Sequence, residues 1–192
     1  MRDFETTEFE TMAGVRVPAV TAEEMREGDR IAVDEVGLEL LQMMENAGRA
    51  FAATLRETAA ETERDGRFVV PAGNGGNGAG GLCAARHLSN DGQPVTVVLD
   101  RTETALSGAA AHQRRILDAT DVRVVSKLSA TTNAVESAAV VGDALVGYGL
   151  TDALRGRAAE LVELANDSGA PLVSLDVPSG VNCLGVSALN FR

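Results

Sequence analysis

Three observations predict an α/β protein with a doubly wound, mainly parallel sheet, helices on both faces and two helices at the N-terminus. Five short apolar runs, rich in valine and leucine, recur from residue 67 onwards. Helix-compatible segments separate these runs, and strands that are apolar throughout are typical of a parallel sheet covered on both faces. The first run is followed at once by a segment rich in glycine and asparagine, as at many junctions between a strand and a helix.

The N-terminal part precedes the sheet. Residues 1–16 are mixed and polar, and we interpret them as a flexible arm. The residues Thr21-Ala-Glu-Glu24 have the spacing of a capping box, which predicts the start of a first helix. A second helix is predicted over 38–55 from apolar residues at helical spacing, namely Leu40, Leu41, Met44, Ala47, Phe51 and Leu55.

The remainder of the chain alternates between strands and helices. From the apolar runs we predict strands over 68–72, 94–99, 122–125, 138–146 and 171–177. The segments between them predict helices over 82–88, 109–119 and 152–165. A chain of 192 residues fits one domain, so we expect a single domain over 1–192.

The composition excludes several classes of function. The formal net charge is −11, from 28 acidic and 17 basic residues, and such a surface repels nucleic acid. The acidic excess, with Lys127 as the single lysine, suits either a protein from a salty environment or an ordinary acidic protein.

Two cysteines and two histidines lack the spacing of a transition-metal site. No apolar stretch is long enough for a membrane span, and the acidic N-terminus does not resemble a signal peptide, so we expect a cytoplasmic protein.

The first candidate site is the segment 73–81. Its glycines, with Asn74 and Asn77, let backbone amides approach a ligand closely, and the helix that follows adds partial positive charge. A phosphate group is the ligand that this pattern predicts. The alternative is a flexible connector without a ligand.

Two carboxylates supply the other candidate sites. Asp143 and Asp176 each end an apolar strand, where a carboxylate needs a cation or hydrogen-bond donors. Asp143 is therefore a candidate ligand for a hard cation or for a polar ligand group, and the alternative is that it caps the neighbouring turn. Asp176 opens the turn Asp176-Val-Pro-Ser-Gly180, in which Ser179 either contacts a ligand or only caps the turn. Since ligands bind beyond the carboxyl ends of parallel strands, all three segments are expected at one edge of the sheet.

One motif favours a different enzyme class. Gly73-x-Gly75-x-x-Gly78 matches the dinucleotide-binding fingerprint, and Asp100 ends the next strand. Taken alone, this pattern predicts an NAD(P)-binding oxidoreductase. The sequence offers no obvious histidine or lysine partner for hydride transfer, which weighs against that interpretation.

A resemblance covers more of the chain than the fingerprint does. Its motifs are Met25–Arg30, Gly37–Gly48, the glycine segment with Ala84–Leu88, Asp143–Gly149 and Asp176–Gly180. In order and spacing, over residues 17–182, the sequence resembles the YjeF N-terminal domain family, whose best-known members are NAD(P)H-hydrate epimerases. The resemblance implies a Rossmann-like fold and an isomerase that interconverts the R and S epimers of hydrated NADH or NADPH, NAD(P)HX. It also implies one potassium ion per subunit and a separate NAD(P)HX dehydratase as pathway partner.

The same resemblance implies roles for individual residues. The implied potassium ligands are Asn77, Asp143 and Ser179. The implied dinucleotide-binding residues are Gly76, Asn77, Gly78, Ala79, Gly80, Gly147, Tyr148, Gly149, Leu150, Thr151, Asp152, Ala153 and Asp176. From its position, Asp176 is also the candidate catalytic residue.

This chain departs from the family pattern in two respects. Gly76 and Gly80 stand where the family usually has Asn and Asp, so we expect weakened activity, and a non-catalytic nucleotide-binding or scaffold module remains an alternative. The family pattern also implies a further strand after Gly180, so we interpret the C-terminal end as shortened. A missing edge strand favours a homodimer.

Overall fold

The computed structural model describes residues 8–10, 14–18 and 20–181. The chain divides into two compact units, Met1–Leu38 and Glu39–Arg192, and the expected single domain over 1–192 stays a prediction. In the first unit, β1 (Glu8–Glu10) and β2 (Arg16–Pro18) pair antiparallel and precede α1 (Ala22–Asp34). Part of the segment predicted as an arm therefore lies in a strand, and residues 1–7 and 11–13 lie outside the described residues.

The predicted capping box begins α1. The Glu24 N–H donates to the Thr21 hydroxyl oxygen at 3.2 Å, and the Glu24 carboxylate accepts the Thr21 N–H at 2.7 Å. Two amides that lack an acceptor within the helix are satisfied in this way. The start of the first helix is therefore confirmed at the predicted residue.

The second unit holds a five-stranded parallel sheet. Its elements in chain order are α2 (Leu40–Glu61), β3 (Arg67–Ala72), α3 (Gly76–Asn90), β4 (Val95–Leu99), α4 (Gly108–Leu117), β5 (Arg123–Val125), α5 (Leu128–Glu136), β6 (Ala138–Asp143), α6 (Gly156–Asp167) and β7 (Leu172–Ser174). The strands are ordered β5-β4-β3-β6-β7, and every neighbouring pair is parallel. The predicted α/β fold is confirmed.

Helices cover both faces of the sheet. Phe51 and Leu55 of α2 and Leu82 of α3 pack in one core with α4 and with alternate strand residues such as Val70. The opposite core joins α5 and α6 to the residues in between, Val69 of β3 and Val141 of β6 among them. Because successive side chains of a strand point to opposite faces, strands covered on both faces are apolar throughout.

Among the differences from the prediction, one strand end and one missed helix have clear local reasons. The strand predicted over 138–146 ends at Asp143, because the Leu145 N–H donates to Asp143 Oδ1 at 3.2 Å and turns the chain. Helix α5 was not predicted, since Thr131, Thr132 and Asn133 are weak helix formers. The buried Val135 and Thr131 show that tertiary packing stabilises this helix.

The strand order places a crevice between β3 and β6. From β3 the chain builds outward through β4 to β5, and it then crosses back to place β6 and β7 on the other side of β3. The loops that follow β3 and β6 therefore diverge, and this switch point is where open parallel sheets bind ligands. Among the described residues, no helix has the length and apolar character needed to cross a membrane.

Candidate functional site

Most of the glycine-rich segment, residues 76–81, forms the start of a helix rather than a loop. Helix α3 begins at Gly76, and none of the glycines from 73 to 81 has a positive φ. A Cβ atom at Gly78 would overlap the carbonyl oxygen of Gly73, and one at Gly81 would overlap the side chain of Ala144. The alternative of a flexible connector therefore does not describe this segment. These glycines are needed because α3 packs closely against the loops that follow β3 and β6.

The first turn of α3 remains open to a ligand. Gly75 and Gly76 are exposed, and a Cβ atom at Gly75 would meet no atom within 4 Å. The first amides of a helix have no acceptor within it, and the helix dipole adds positive charge there. This end of α3 therefore suits a phosphate or pyrophosphate. Asn77 is half-buried, and the other predicted members of the segment, Gly78, Ala79 and Gly80, are buried.

Asp143 is the centre of a buried polar network at the end of β6. Asp143 is buried, with 3% of the residue exposed. Oδ1 accepts the Ser179 hydroxyl at 2.7 Å, and Oδ2 accepts the Ser179 N–H at 2.8 Å and the Ser174 hydroxyl at 3.0 Å. These donors compensate for the cost of burying the carboxylate. The network joins the loops after β6 and β7, as the sequence predicted for Asp143 and Ser179.

This network contains more oxygen acceptors than protons. The Ser179 hydroxyl oxygen lies 2.7 Å from Asp143 Oδ1 and also 3.0 Å from the Val146 carbonyl oxygen. A hydroxyl has one proton, so it donates to only one of these two oxygens at a time. The same hydroxyl accepts the Val146 N–H at 2.9 Å. Carbonyl, hydroxyl and carboxylate oxygens are the donors that hard cations prefer, so these residues are candidate ligands for such a cation.

The Asp176 carboxylate lies beside the turn that follows β6. Its Oδ2 accepts the Tyr148 N–H at 2.8 Å. A Cβ atom at Gly147 would overlap this same oxygen and would lie 3.1 Å from the amide oxygen of Asn77. Asn77 in turn donates from Nδ2 to the Leu175 carbonyl at 3.0 Å. Three segments that are far apart in sequence therefore meet at one point, with Gly147 in the middle.

Asp176 has a strained backbone. Its φ is +70°, and within the described residues Glu63 is the other non-glycine residue with a positive φ. Aspartate adopts this left-handed conformation at a cost of about 1 kcal/mol, and such residues are concentrated at functional sites. The hydrogen bond from Tyr148 holds the exposed carboxylate in position. The bond fixes Oδ2 of Asp176 beside Gly147.

The rest of the predicted turn lies farther along the same loop. The Leu150 N–H donates to the Gly147 carbonyl at 3.2 Å, which closes the turn. Gly149 is exposed, and so are Thr151, Asp152 and Ala153. Their contact with a dinucleotide stays a prediction.

Two polar side chains at this edge have contacts that the sequence did not predict. Ser174 donates to Asp143, but a serine inside an apolar strand carries no recognisable signal. Asn74 bridges two strand-end loops, since its Oδ1 accepts the Ser107 N–H at 2.7 Å and its Nδ2 donates to the Ser107 hydroxyl at 2.9 Å. The position of Asn74 directly after β3 was the available signal. This bridge ties the start of α4 to the glycine segment.

A second polar cluster links α2 to α3. The Glu45 carboxylate contacts Arg86 and His87, and its Oε2 accepts the Cys83 thiol at 3.2 Å. Burial and the hydrogen bond to Glu45 raise the pKa of the Cys83 thiol to about 11, so the thiol stays protonated. Although Glu45, Cys83 and His87 offer ligand atoms within 4.8 Å of one another, Arg86 already supplies a positive charge to the carboxylate. The hydrogen bonds and ion pair of this cluster therefore hold α2 against α3.

The two departures from the family pattern differ in their surroundings. A Cβ atom at Gly76 would make ordinary contact with Met44, whose nearest atom is 3.9 Å away. At Gly80 a Cβ atom would lie 2.8 Å from the Leu175 side chain, which fills that space. The first position therefore has room for a longer side chain, whereas the second does not unless Leu175 moves.

Comparison with known proteins gives consistent results. The family described as YjeF-related protein N-terminus matches residues 40–188. A Dehalogenimonas lykanthroporepellens protein named NAD(P)H-hydrate epimerase is 43% identical over 174 residues, which are 91% of this chain and 69% of that protein. A Salinibacter ruber protein named bifunctional NAD(P)H-hydrate repair enzyme is 36% identical over 86% of this chain but only 32% of its own length. The crystal structure of yeast ynu0 matches with a TM-score of 0.73 and 28% identity, over 85% of this chain and 72% of that one.

Proposed function

Since the chain belongs to the family of YjeF-related protein N-termini, we propose that it is an isomerase that interconverts the R and S epimers of NAD(P)HX. The observation that carries this proposal is the meeting of Asn77, Gly147 and Asp176 at the switch point of the sheet. A carboxylate, an amide and an exposed helix N-terminus at one crevice suit a substrate that has both a reactive ring and a pyrophosphate.

Asp176 is the residue that we propose to handle the proton. Tyr148 holds one carboxylate oxygen by its N–H, and the other oxygen remains to take up a proton at the hydrated ring and return it. Epimerisation changes neither the composition nor the oxidation state of the substrate, so a group that accepts and returns one proton matches its stoichiometry. The exposed position of Asp176 leaves the carboxylate accessible to a substrate.

The proposal includes a potassium ion held by Asp143, Ser179 and Asn77. The excess of oxygen acceptors around the Ser179 hydroxyl supports it, as does the Asn77 amide oxygen beside Gly147. A monovalent cation there would supply positive charge next to the substrate-binding turn. It would also compensate for the charge of the buried Asp143 carboxylate.

The proposed pathway has a second enzyme. In the bifunctional Salinibacter ruber relative the matched part is one third of the protein, so repair functions are fused in that chain. We propose that a separate NAD(P)HX dehydratase acts with the present protein in the cytoplasm. We also propose a homodimer, which the exposed apolar side chains of Met25, Ile31 and Val33 on α1 support.

A second function is favoured by one observation. Leu175 fills the space beside Gly80, where the family usually has an aspartate, so one polar contact to the ligand is replaced by an apolar one. A site altered in this way is compatible with a nucleotide-binding or scaffold module that lacks catalysis. The oxidoreductase interpretation has no comparable support.

The deciding experiment is epimerisation of purified R-NADHX followed by chiral chromatography, with potassium chloride or choline chloride as the salt. We expect conversion to the S epimer well above the spontaneous rate measured without protein, and a lower rate in choline chloride. Conversion at the spontaneous rate by folded protein that still binds ADP-ribose would reject catalysis and favour the binding module.

A further inference from the structure

Glu45, Cys83 and His87 bring an oxygen, a sulfur and a nitrogen atom to one point between α2 and α3. His87 Nε2 lies 2.8 Å from Glu45 Oε1, and Cys83 Sγ lies 3.2 Å from Glu45 Oε2. Atoms of this kind from all three side chains lie within 4.8 Å of one another. The proposed reaction uses none of these three residues, so their chemistry is available for another role.

The separations resemble those within a zinc centre. Zinc binds thiolate, imidazole and carboxylate ligands at roughly 2.0–2.3 Å, so the ligand atoms around a tetrahedral zinc ion lie roughly 3–4 Å apart. Cys83 and His87 lie one turn apart on α3, which places both side chains on the same face of the helix. Cysteine and histidine spacing alone did not reveal this group, because Glu45 lies 38 residues before Cys83 on another helix.

A positively charged group already lies among the three ligand atoms. Arg86 Nη2 is 2.5 Å from Glu45 Oε2 and 3.4 Å from both Cys83 Sγ and His87 Nε2. This nitrogen therefore contacts all three ligand atoms, as a bound metal ion would. The guanidinium is incompletely satisfied there, since Arg86 Nε is buried and has no hydrogen-bond partner among the described residues.

The charges and the exposure of the cluster allow a metal ion to replace this nitrogen. A zinc ion bound to one carboxylate and one thiolate is electrically neutral, so it would not repel the displaced guanidinium through a net charge. The Arg86 side chain is 19% exposed and has a flexible stem, so its end can move into solvent. The Glu45 and His87 side chains are 34% and 20% exposed, which leaves the ion a path to the site.

We propose that Glu45, Cys83 and His87 form a zinc site in which the metal replaces the Arg86 guanidinium. The S–H bond of Cys83 breaks, its sulfur binds the zinc ion, and the proton leaves to solvent without any transfer of electrons. Three protein ligands leave a fourth position for water. Because the ligands come from two helices, the bound metal holds α2 against α3.

The test measures zinc binding by the full chain, without a histidine tag and dialysed after treatment with EDTA. Calorimetry with zinc chloride should show one zinc ion per chain, and zinc should raise the melting temperature. Cys83→Ser and His87→Gln should each weaken zinc binding at least about tenfold, because each removes one of three ligands. Arg86→Met should bind zinc more tightly, because the competing positive charge is removed.

The chain offers matched controls for both ligand variants. Cys183→Ser and His112→Gln replace the other cysteine and the other histidine and should leave the Kd for zinc unchanged. Cobalt chloride is a second probe, which needs no change to the proposed ligands. Added to Cys183→Ser, it should produce the near-ultraviolet absorption of a cobalt–thiolate bond, since Cys83 is then the remaining cysteine.

Several results would overturn the zinc site. They are the absence of zinc binding, zinc binding that Cys83→Ser and His87→Gln leave unchanged, and the absence of the cobalt–thiolate absorption in Cys183→Ser. Weaker zinc binding by folded Arg86→Met would also overturn it, because the group that zinc displaces does not support its binding. All these measurements are made without a dinucleotide, so failure of the zinc site and failure of the proposed epimerisation are distinguishable.

Discussion

The chemistry of the proposed site is concentrated on Asp176. Its carboxylate is exposed, its backbone has a φ of +70°, and the Tyr148 N–H holds one of its oxygens. Backbone strain of this kind is retained only when the surrounding structure enforces it. Here the enforcing contact comes from the loop after β6, so the position of the proposed catalytic carboxylate depends on the packing of two loops.

Asp176→Asn is expected to abolish most of the epimerase activity while preserving the fold. Asparagine tolerates the same left-handed backbone and its amide oxygen still accepts the Tyr148 N–H, but it does not take up a proton. The rate of R-NADHX conversion should fall by about 10²–10⁴-fold, with an unchanged melting temperature. The control is Asp121→Asn, an exposed aspartate near the amino end of β5, which should retain full activity. Retention of activity in Asp176→Asn would remove Asp176 from the mechanism.

At the scale of elements, two glycines without side chains allow α3 to pack closely against its neighbours. Gly78 and Gly81 let the helix approach Gly73 and Ala144 so closely that a methyl group at either position would overlap a neighbour. Gly75, directly before the helix, faces open space instead. Gly78 is therefore needed for packing, whereas Gly75 leaves open space before the helix, which we propose a ligand uses.

The pair Gly78→Ala and Gly75→Ala tests this difference. Gly78→Ala should destabilise the protein by about 1–3 kcal/mol or more, because the added methyl group overpacks a site bounded by backbone. Gly75→Ala should keep the stability and weaken ADP-ribose binding, since the methyl group occupies the approach of the pyrophosphate. Urea unfolding and calorimetry separate the two effects. Equal stability of the two variants would contradict the packing described here.

The polar cluster around Glu45, which links α2 to α3, predicts that the stability of the protein depends on pH. Burial raises the pKa of the Glu45 carboxyl, but hydrogen bonds to Arg86, Cys83 and His87 outweigh burial and lower the pKa from 4.5 to about 2. A lowered pKa in the folded state means that the charged carboxylate stabilises the protein above pH 4.5 and that this contribution is lost as the pH falls towards 2.

Glu45→Gln should therefore be less stable than the unaltered protein at pH 6, and this difference should shrink between pH 4.5 and pH 2. Urea unfolding across this range measures the free energy of unfolding of both proteins. Glu23→Gln is a suitable control, because Glu23 is exposed on α1. A difference between Glu45→Gln and the unaltered protein that stays constant down to pH 2 would show that the carboxylate is not ionised in the cluster.

At the scale of the whole molecule, charge is the dominant property. A formal net charge of −11 leaves mutual repulsion among carboxylates that salt screens. Stability should therefore rise between low salt and about 0.5 M choline chloride, where the Debye length falls below about 8 Å. A gain of 1 kcal/mol corresponds to roughly 2–4 °C in melting temperature at this size. Scanning calorimetry checks the prediction, and a melting temperature that is independent of salt would contradict it.

Potassium chloride provides the matched comparison. Both salts screen the surface charge, but only potassium is proposed to bind the oxygen ligands around Asp143 and Ser179. An additional rise in melting temperature with potassium, lost in Ser179→Ala, would separate specific binding from screening. Ser174→Ala removes a different hydrogen bond to Asp143 and should retain the potassium effect.

The sheet and most of its helices were predictable because their signals are local. Apolar runs predicted five strands, and all five are present in the sheet. Helical periodicity predicted the second helix. Helix α5 was missed because its residues have weak helical preference, and the start of α3 was missed because glycines are typical of loops. At the site, Asp143 and Asp176 were selected because they end strands, and the roles of Asn77 and Ser179 came from the family resemblance. Asn74 was named only as part of the glycine segment, and Ser174 was not selected.

The sequence by itself determined the order of strands and helices, the family and the candidate residues, since these depend on patterns within a few residues of each other. The tertiary structure decided that Ser179 donates to Asp143 and that Asp176 accepts a hydrogen bond from Tyr148. It also decided that Gly78 and Gly81 allow α3 to pack closely. Those contacts exist because β3, β6 and β7 lie side by side although 60 or more residues separate β3 from the other two. These strands lie side by side because of the strand order of the sheet, and that order is determined by the packing of the whole core.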